Sequence, residues 1–448
     1  MKFIYISLAL LMAGAFMNSA AQAQSSFDLT AGNTGISIGD SEGVNGIRLN
    51  FRDSRLRKVN GLNATIWVPR EENLYTGTIN GVALGLPATG FENLNGVGYS
   101  WLALVSMGKI RGVTSSGIAT VASENYGVGL AGVANVSAEG SGGVFVSGIA
   151  NVSGGSFSGI SLSGIASVTA DHQRGISAGG FAAVTGESAR GITFGGLAAV
   201  VGEEKRGITV GGLASVTGEQ LRGISAGGLA SVAGGGFRGI QVGGLAAVSG
   251  ENSRGIQASG LASVTGGEMR GISVSLLAAI SGEGGRGIMA APIVVSGGQF
   301  TGISAAGLVQ AGESFRGLNA SGLITAGETI RGLQLSGFGI AGRDVSGISF
   351  AGGFVAAENL RGASLSSAVL AQQLSGLHVA SLFTYLPDEG RQYGLVLAPV
   401  NWNDGIQSGL TIGIVNYAQN LRGLQIGLIN IAQEGGFARV FPFFNYGR

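Results

Sequence analysis

Histidine and cysteine, the side chains most used for proton transfer and thiolate chemistry, are scarce or absent in this 448-residue chain. His172 and His378 are the two histidines, and cysteine is absent. Gly175-Ile176-Ser177-Ala178-Gly179 matches the serine-hydrolase elbow, and Gly127-Val128-Gly129-Leu130-Ala131-Gly132 matches the dinucleotide fingerprint. Both motifs work only where a strand turns into a helix, and no helical period follows either one. With 85 glycines in the chain, such matches arise by chance. His172 falls in an expected turn and His378 in a polar strand slot. Both are read as surface histidines, with no metal-ligand cluster around them. No catalytic residue, cofactor site or metal site is expected, and an enzyme is not.

The chemistry-bearing residues that recur are charged. Arg174, Arg190, Arg206, Arg222, Arg238, Arg254, Arg270 and Arg286 stand 16 residues apart, and every one opens the tripeptide Arg-Gly-Ile. A row of guanidinium groups could hold phosphate or carboxylate ligands. Glutamates answer it within the chain, however: Glu187, Glu203, Glu219, Glu251 and Glu283 each lie three residues before an arginine. If repeats stack at ~4.8 Å, neighbouring like charges repel by roughly 0.9 kcal/mol even in water, and an interleaved column of opposite sign cancels this. The ladder is therefore read as the neutralised edge of a stack. A net charge of +1, evenly distributed, gives no pull toward nucleic acid.

A fixed short period held over many copies means an array of one supersecondary unit. Counting the irregular units on either side, about 25 repeats of 15 or 16 residues fill the chain. Within one unit, Ile176 and Ala178 alternate with Ser177, and Ala182 and Val184 alternate with Ala183 and Thr185, which is strand periodicity. The slot after Ile holds Ser177, Thr193, Thr209, Ser225, Gln241, Gln257, Ser273 and Met289, and is read as solvent-facing. The next slot, Ala178, Phe194, Val210, Ala226, Val242, Ala258, Val274 and Ala290, is read as inward-facing. Paired glycines such as Gly195-Gly196 and Gly211-Gly212 suit a tight corner between two short strands. These features describe an all-β fold, a thin parallel β-solenoid. Where the period falls from 16 to 15, from Ala291-Pro292 onward, a bulge lost from the second strand would keep later side chains on their faces.

The alternative is a large antiparallel outer-membrane β-barrel, in which each unit is one long strand. Uniform turns and missing aromatic girdles weigh against it. Leu197, Leu213, Leu229, Leu245 and Leu261 are awkward for the solenoid, because their parity differs from that of the following Val. They either turn inward at the corner or form an exposed apolar stripe, a candidate docking surface. A flat row of threonines would suit ice, but Thr185, Val201, Thr217, Ala233, Ser249, Thr265 and Ser281 are too mixed.

Composition and the ends complete the organisation. The chain is 45% hydrophobic and 11% charged, which excludes disorder despite the glycine content. A positive start, an apolar run from Ile4 to Phe16 and the Ala21-Gln22-Ala23 site read as a signal peptide over 1–23. Residues 24–110 are expected to be an N-terminal cap with divergent repeats, 111–375 the regular array, and 376–448 irregular repeats and a C-terminal cap. The aromatic run Phe437 to Tyr446 would plug the last coil.

At the C-terminal end the unit becomes Arg422-Gly423-Leu424-Gln425-Ile426-Gly427-Leu428-Ile429-Asn430-Ile431-Ala432. This resembles the Gly-Leu-x-Ile-Gly-Leu-x-Asn-x-Ala repeats of glycine-rich surface-repeat proteins of Gram-negative bacteria. The resemblance implies an exported chain at the outer membrane or cell surface, and brings no reaction, cofactor or catalytic residue. The expected role is a non-enzymatic scaffold or adhesion module whose partner is a surface protein or glycan. A barrel pore and an ice- or glycan-binding solenoid are the alternatives.

Overall fold

A computed structural model describes residues 26–448; the signal peptide expected over 1–23 lies outside the described residues. The fold is all-β, 77% strand, and its strands wind into about 24 stacked parallel coils, a β-solenoid and not a barrel. The chain falls into two compact units, the first ending at Ala233 and the second running Gly234–Arg448. In the first unit, one coil comprises a strand Gln173–Gly179, a corner, a strand Ala182–Thr185 and a turn. Each strand pairs in parallel with its equivalent 16 residues on, Gln173 with Ala189 through Gly179 with Gly195, and Ala182 with Ala198 through Thr185 with Val201. The second unit repeats this, with Ser253–Ser259 on Met269–Ser275 and Ala262–Thr265 on Ala278–Ser281.

Two glycine positions make so small a coil close. The glycine of the Arg-Gly-Ile triplet has φ of +123° at Gly207 and +131° at Gly223, a region that residues with a Cβ rarely adopt. A Cβ on Gly207 would also overlap the carbonyl oxygen of Gly191 in the coil before. At the corner, a Cβ on Gly212 would overlap the carbonyl oxygen of Gly196.

The strand faces are the reverse of the sequence expectation. Ser177, Thr193, Thr209 and Ser225 in the first unit, and Gln241, Gln257, Ser273 and Met289 in the second, are buried inside the coils. Phe194, Val242 and Val274 from the slot expected to face inward are exposed, as are Ile176, Ile192, Ile208 and Ile224. Facing sheets this close leave room for small side chains, and the polar ones bond across the gap. Ser177 donates to Ser167 at 2.8 Å, Ser225 lies 2.8 Å from both Ser215 and Ser231, and Gln257 donates to the carbonyls of Ala247 and Val264. Asn416 both accepts from Asn401 at 2.8 Å and donates to Asn430 at 2.7 Å, an amide ladder of the kind in-register stacking favours. The row from Thr185 to Ser281 considered for ice is likewise interior.

The change of period has two structural causes. Val274 pairs with Ala290 at a spacing of 16, but Ala278 pairs with Ile293 at 15, so the first residue is lost at the Ala291-Pro292 corner. In the coils between Thr301 and Arg361 the second strand carries one buried side chain, Gln310, Thr325, Ile340 or Val355, where the longer coils carry two such as Ala183 and Thr185. The position that opens the first strand stays filled by a buried side chain in both kinds of coil, Leu221, Phe237 and Met269 in the longer ones and Phe315, Ile330 and Leu360 in the shorter. Where the period lengthens upstream, the irregularity lies between Ala122 and Glu124 opposite Ser137 and Gly140, in the turn following the strand.

Both ends fold back as antiparallel hairpins, Ser26–Ala31 on Thr34–Gly39 and Val440–Tyr446 on Leu424–Glu434. The closing aromatic run does not plug the last coil. Phe437, Phe443, Phe444 and Tyr446 are exposed, with Phe437 stacked on Tyr446 and Phe444 edge-on to Phe441, while Asn445 is the side chain turned inward. Near the other end, buried Arg48 is held by Asp40, Asp53 and Asn63. Burial raises the Asp40 carboxyl, but hydrogen bonds from Ser54 and the charges of Arg48 and Arg55 prevail and leave it below its ordinary range.

Two substitutions test this construction with opposite signs. Gly207→Ala should destabilise by at least about 2 kcal/mol, read as a lower midpoint of urea unfolding. Lys205 is fully buried beside Thr193, to which its Nζ donates at 2.7 Å, and burial pushes its pKa from 10.5 down to about 8. The folded state therefore carries a charge penalty that is complete below pH 8 and relieved as pH rises toward 10.5. Lys205→Met should stabilise the fold by about 2–3 kcal/mol at pH 7, and by progressively less between pH 8 and 10.5.

Candidate docking surface

Residues singled out for chemistry are scattered or enclosed. Ser177 of the elbow-like pentapeptide lies inside the coil, bonded to Ser167. His172 sits on an outer turn, with Nε2 3.4 Å from Glu187 and Nδ1 2.9 Å from Ser188. His378 is interior, correcting its reading as a surface histidine: Nδ1 lies 2.8 Å from Ser364 Oγ, and burial pushes its pKa down. Among the described residues, no three His, Asp or Glu side chains gather as a metal-binding group.

The arginine ladder is an exposed edge. Arg174, Arg190, Arg206 and Arg222 are register partners in the first unit, as are Arg238, Arg254, Arg270 and Arg286 in the second. Glu187, Glu203 and Glu219 stack beside them through backbone hydrogen bonds of 2.8 and 3.0 Å, and Glu251 and Glu283 hold the same turn position in the second unit. The close ion pairs of the ladder use the acid two residues before the arginine. Arg206 and Arg222 both reach Glu204, at 3.0 and 3.6 Å, and Arg270 reaches Glu268 at 2.6 Å. The hydrogen bond from Arg270 holds Glu268 below the ordinary carboxylate range, aided by the charges of Arg270, Arg286 and Arg254. The edge is thus locally compensated, by a nearer acid than the spacing suggested.

The rest of the perimeter is apolar. Residues 175–186, 191–202 and 207–218 contain no Asp, Glu, Lys or Arg, and neither do 255–266 and 271–282. Leu197, Leu213 and Leu229 in the first unit, and Leu245 and Leu261 in the second, are between 44% and 48% exposed at the corner. The leucine row therefore takes the outward of its two expected positions. It is flanked on one side by the exposed isoleucines and on the other by half-buried Val184, Val200 and Val216 on the second strand. The Ile, Leu and Val rows stack like on like from coil to coil, and such aliphatic pairs contribute ~0.2–1 kcal/mol apiece.

Two local features interrupt the pattern in the second unit. Ala290, Ala305 and Ala320, lying between Val274 and Leu335 with Phe350, leave a shallow open groove of about 660 Å³ in the outward face. Near the C-terminal end, Tyr385, Trp402 and Tyr417 form a row at the outward position nearest the charged turn. Trp402 stacks on Tyr417 at 4.3 Å, and their polar atoms bond Asp404 and Gln419.

Sequence reasoning found the leucine row and missed the isoleucine rows. Their signal was the parity conflict at the leucines, which the corner absorbs: Leu213 turns outward there, between the outward Ile208 and Val216 of the two strands. The contrast between two leucines eight residues apart tests this: Leu213 is 46% exposed and Leu221 is fully buried. Leu213→Ser should shift stability by less than about 1 kcal/mol, whereas Leu221→Ala should cost about 2–5 kcal/mol in urea unfolding. No protein-family model, curated protein or solved structure matches the chain.

Proposed function

We propose that this chain is an exported, non-enzymatic scaffold of a bacterial cell envelope, working through its outward apolar rows. The observation that carries this reading is the segregation on each coil. The exposed charges of the regular coils keep to one edge, and the corner and outer strand faces present Ile, Leu, Val and Phe to whatever surrounds the protein. A soluble protein rarely leaves so extended an apolar surface uncovered unless that surface is the one it uses. The signal-like start and the resemblance to surface-repeat proteins support export and an envelope location. The Ser364–His378 pair is enclosed inside the coil, and the repeated outer surface suits many weak contacts summed along an array.

Expression of the full-length chain with a C-terminal tag in a Gram-negative host, followed by fractionation, tests this. The protein should be recovered with the envelope. A variant carrying Ile176, Ile192, Ile208, Leu197, Leu213 and Leu229 as serine should keep its circular dichroism spectrum and pass to the soluble exported fraction. Recovery of the native chain in the cytoplasm or free in the medium would contradict the proposal.

A further inference from the structure

We infer that the partner covering these apolar rows is the hydrocarbon of a single lipid leaflet, entered edge-on by the leucine corner, with the Arg and Glu edge held at the headgroups. This rests on the reading of the rows as the working surface.

Coverage is the first argument. On each coil the apolar residues occupy the outer face of the first strand, the corner and the outer face of the second strand, as Ile208, Leu213 and Val216 do. A second copy laid on one sheet face would leave the other face and the corner in water. Fluid acyl chains cover all three together. Depth is the second argument. From Ile208 to Leu213 the chain advances five residues, ~16 Å at ~3.3 Å per residue, and half of a ~30 Å hydrocarbon core is ~15 Å. The apolar section is deep enough for one leaflet and too shallow to cross both.

The backbone meets the condition that hydrocarbon imposes. Hydrocarbon tolerates strands only where their N–H and C=O groups are already paired, and here they pair with the coils on either side, as Ile208 does with Ile192 and Ile224. The alternation of the strands, polar inside and apolar outside, is the one that lipid-facing β-structure requires. The boundary is also marked. Trp402 and Tyr417 sit between the apolar face and the charged turn with their polar atoms bonded toward that turn, the place amphipathic aromatics take at a membrane interface. The edge carries both signs and the net charge is +1, so attachment has no need of anionic lipid.

Because the chain has no cysteine, a single introduced thiol reports one position. Leu213→Cys on the corner and Glu203→Cys on the edge, each labelled with a polarity-sensitive fluorophore, are mixed with phosphatidylcholine vesicles. Leu197→Cys replaces the first if Leu213→Cys fails to fold. The corner label should brighten severalfold and shift to the blue while the edge label stays as in buffer. The effect should survive 1 M salt, where charges are screened beyond ~3 Å. Brightening of the corner label without vesicles, rising with protein concentration, would assign the surface to a second copy and overturn the leaflet. Equal brightening of both labels would overturn the edge-on orientation. No brightening, from a chain that still fractionates with the envelope, would overturn the leaflet while leaving the scaffold reading intact.

Discussion

One constraint underlies every feature of this protein: each residue of a coil lies directly over its equivalent in the coil before. The glycine of the Arg-Gly-Ile triplet enforces it, because at Gly207 a carbonyl oxygen of the neighbouring coil occupies the place of a Cβ. The backbone thus comes closer than any other residue allows, at a φ that any other residue resists. Once that register is fixed, side chains no longer choose their neighbours. Like stands on like, and each residue type must tolerate its own company at ~4.8 Å.

The types respond differently. Amides and hydroxyls are both donor and acceptor, so a column of them can satisfy itself, and Asn401, Asn416 and Asn430 do so inside the coils. Aliphatic side chains gain dispersion contacts from identical neighbours on an open face and need no partner on the other side. Arginines repel, and are placed where water screens them and where Glu204 or Glu268 stands within reach. A thin interior then inverts the usual distribution. A wide gap would favour Ile and Leu inside, whereas a narrow one admits mainly Ser, Thr and Ala, with larger side chains such as Leu221, Phe237 and Phe315 at the position that opens the first strand. Polar inside and apolar outside follows from sheet separation, without any reference to the solvent.

That is also why the sequence was readable in outline and misread in section. Period, corner glycines and strand pairs were legible because they depend on one coil repeating itself. Facing was misassigned at Ser177 and Ala178 because the ordinary rule, apolar toward the interior, presumes a core wide enough to hold apolar side chains. Leu213 violated that rule within the sequence itself. His378 was placed at the surface for the same reason, since its slot was taken to be solvent-facing. The acid column was legible, and the close ion pairs beside it were not. The acid three residues before the arginine stacks on its own kind, and the acid two before, on the strand's approach, can reach the guanidinium. The closing aromatics looked like a plug because a last coil has an open end, yet the chain covers that end with hydrogen bonds from an antiparallel strand.

An outward apolar surface built this way has a consequence for specificity. The slot two after Ile varies freely among Ala178, Phe194, Val210 and Ala226, while the uncharged character of the face does not vary across the same coils. A protein partner with a shaped interface would be sensitive to a change from Ala to Phe, since packing at such interfaces matches protein interiors. A fluid apolar medium is insensitive to shape and sensitive only to charge and area. Variation in bulk together with uniformity in polarity is thus the pattern left by a partner that has no fixed surface. Each added coil then strengthens the attachment by area alone, so a chain selected for it can lengthen, shorten and change period, as this one does after Ala291-Pro292, without losing the property that its repeats share.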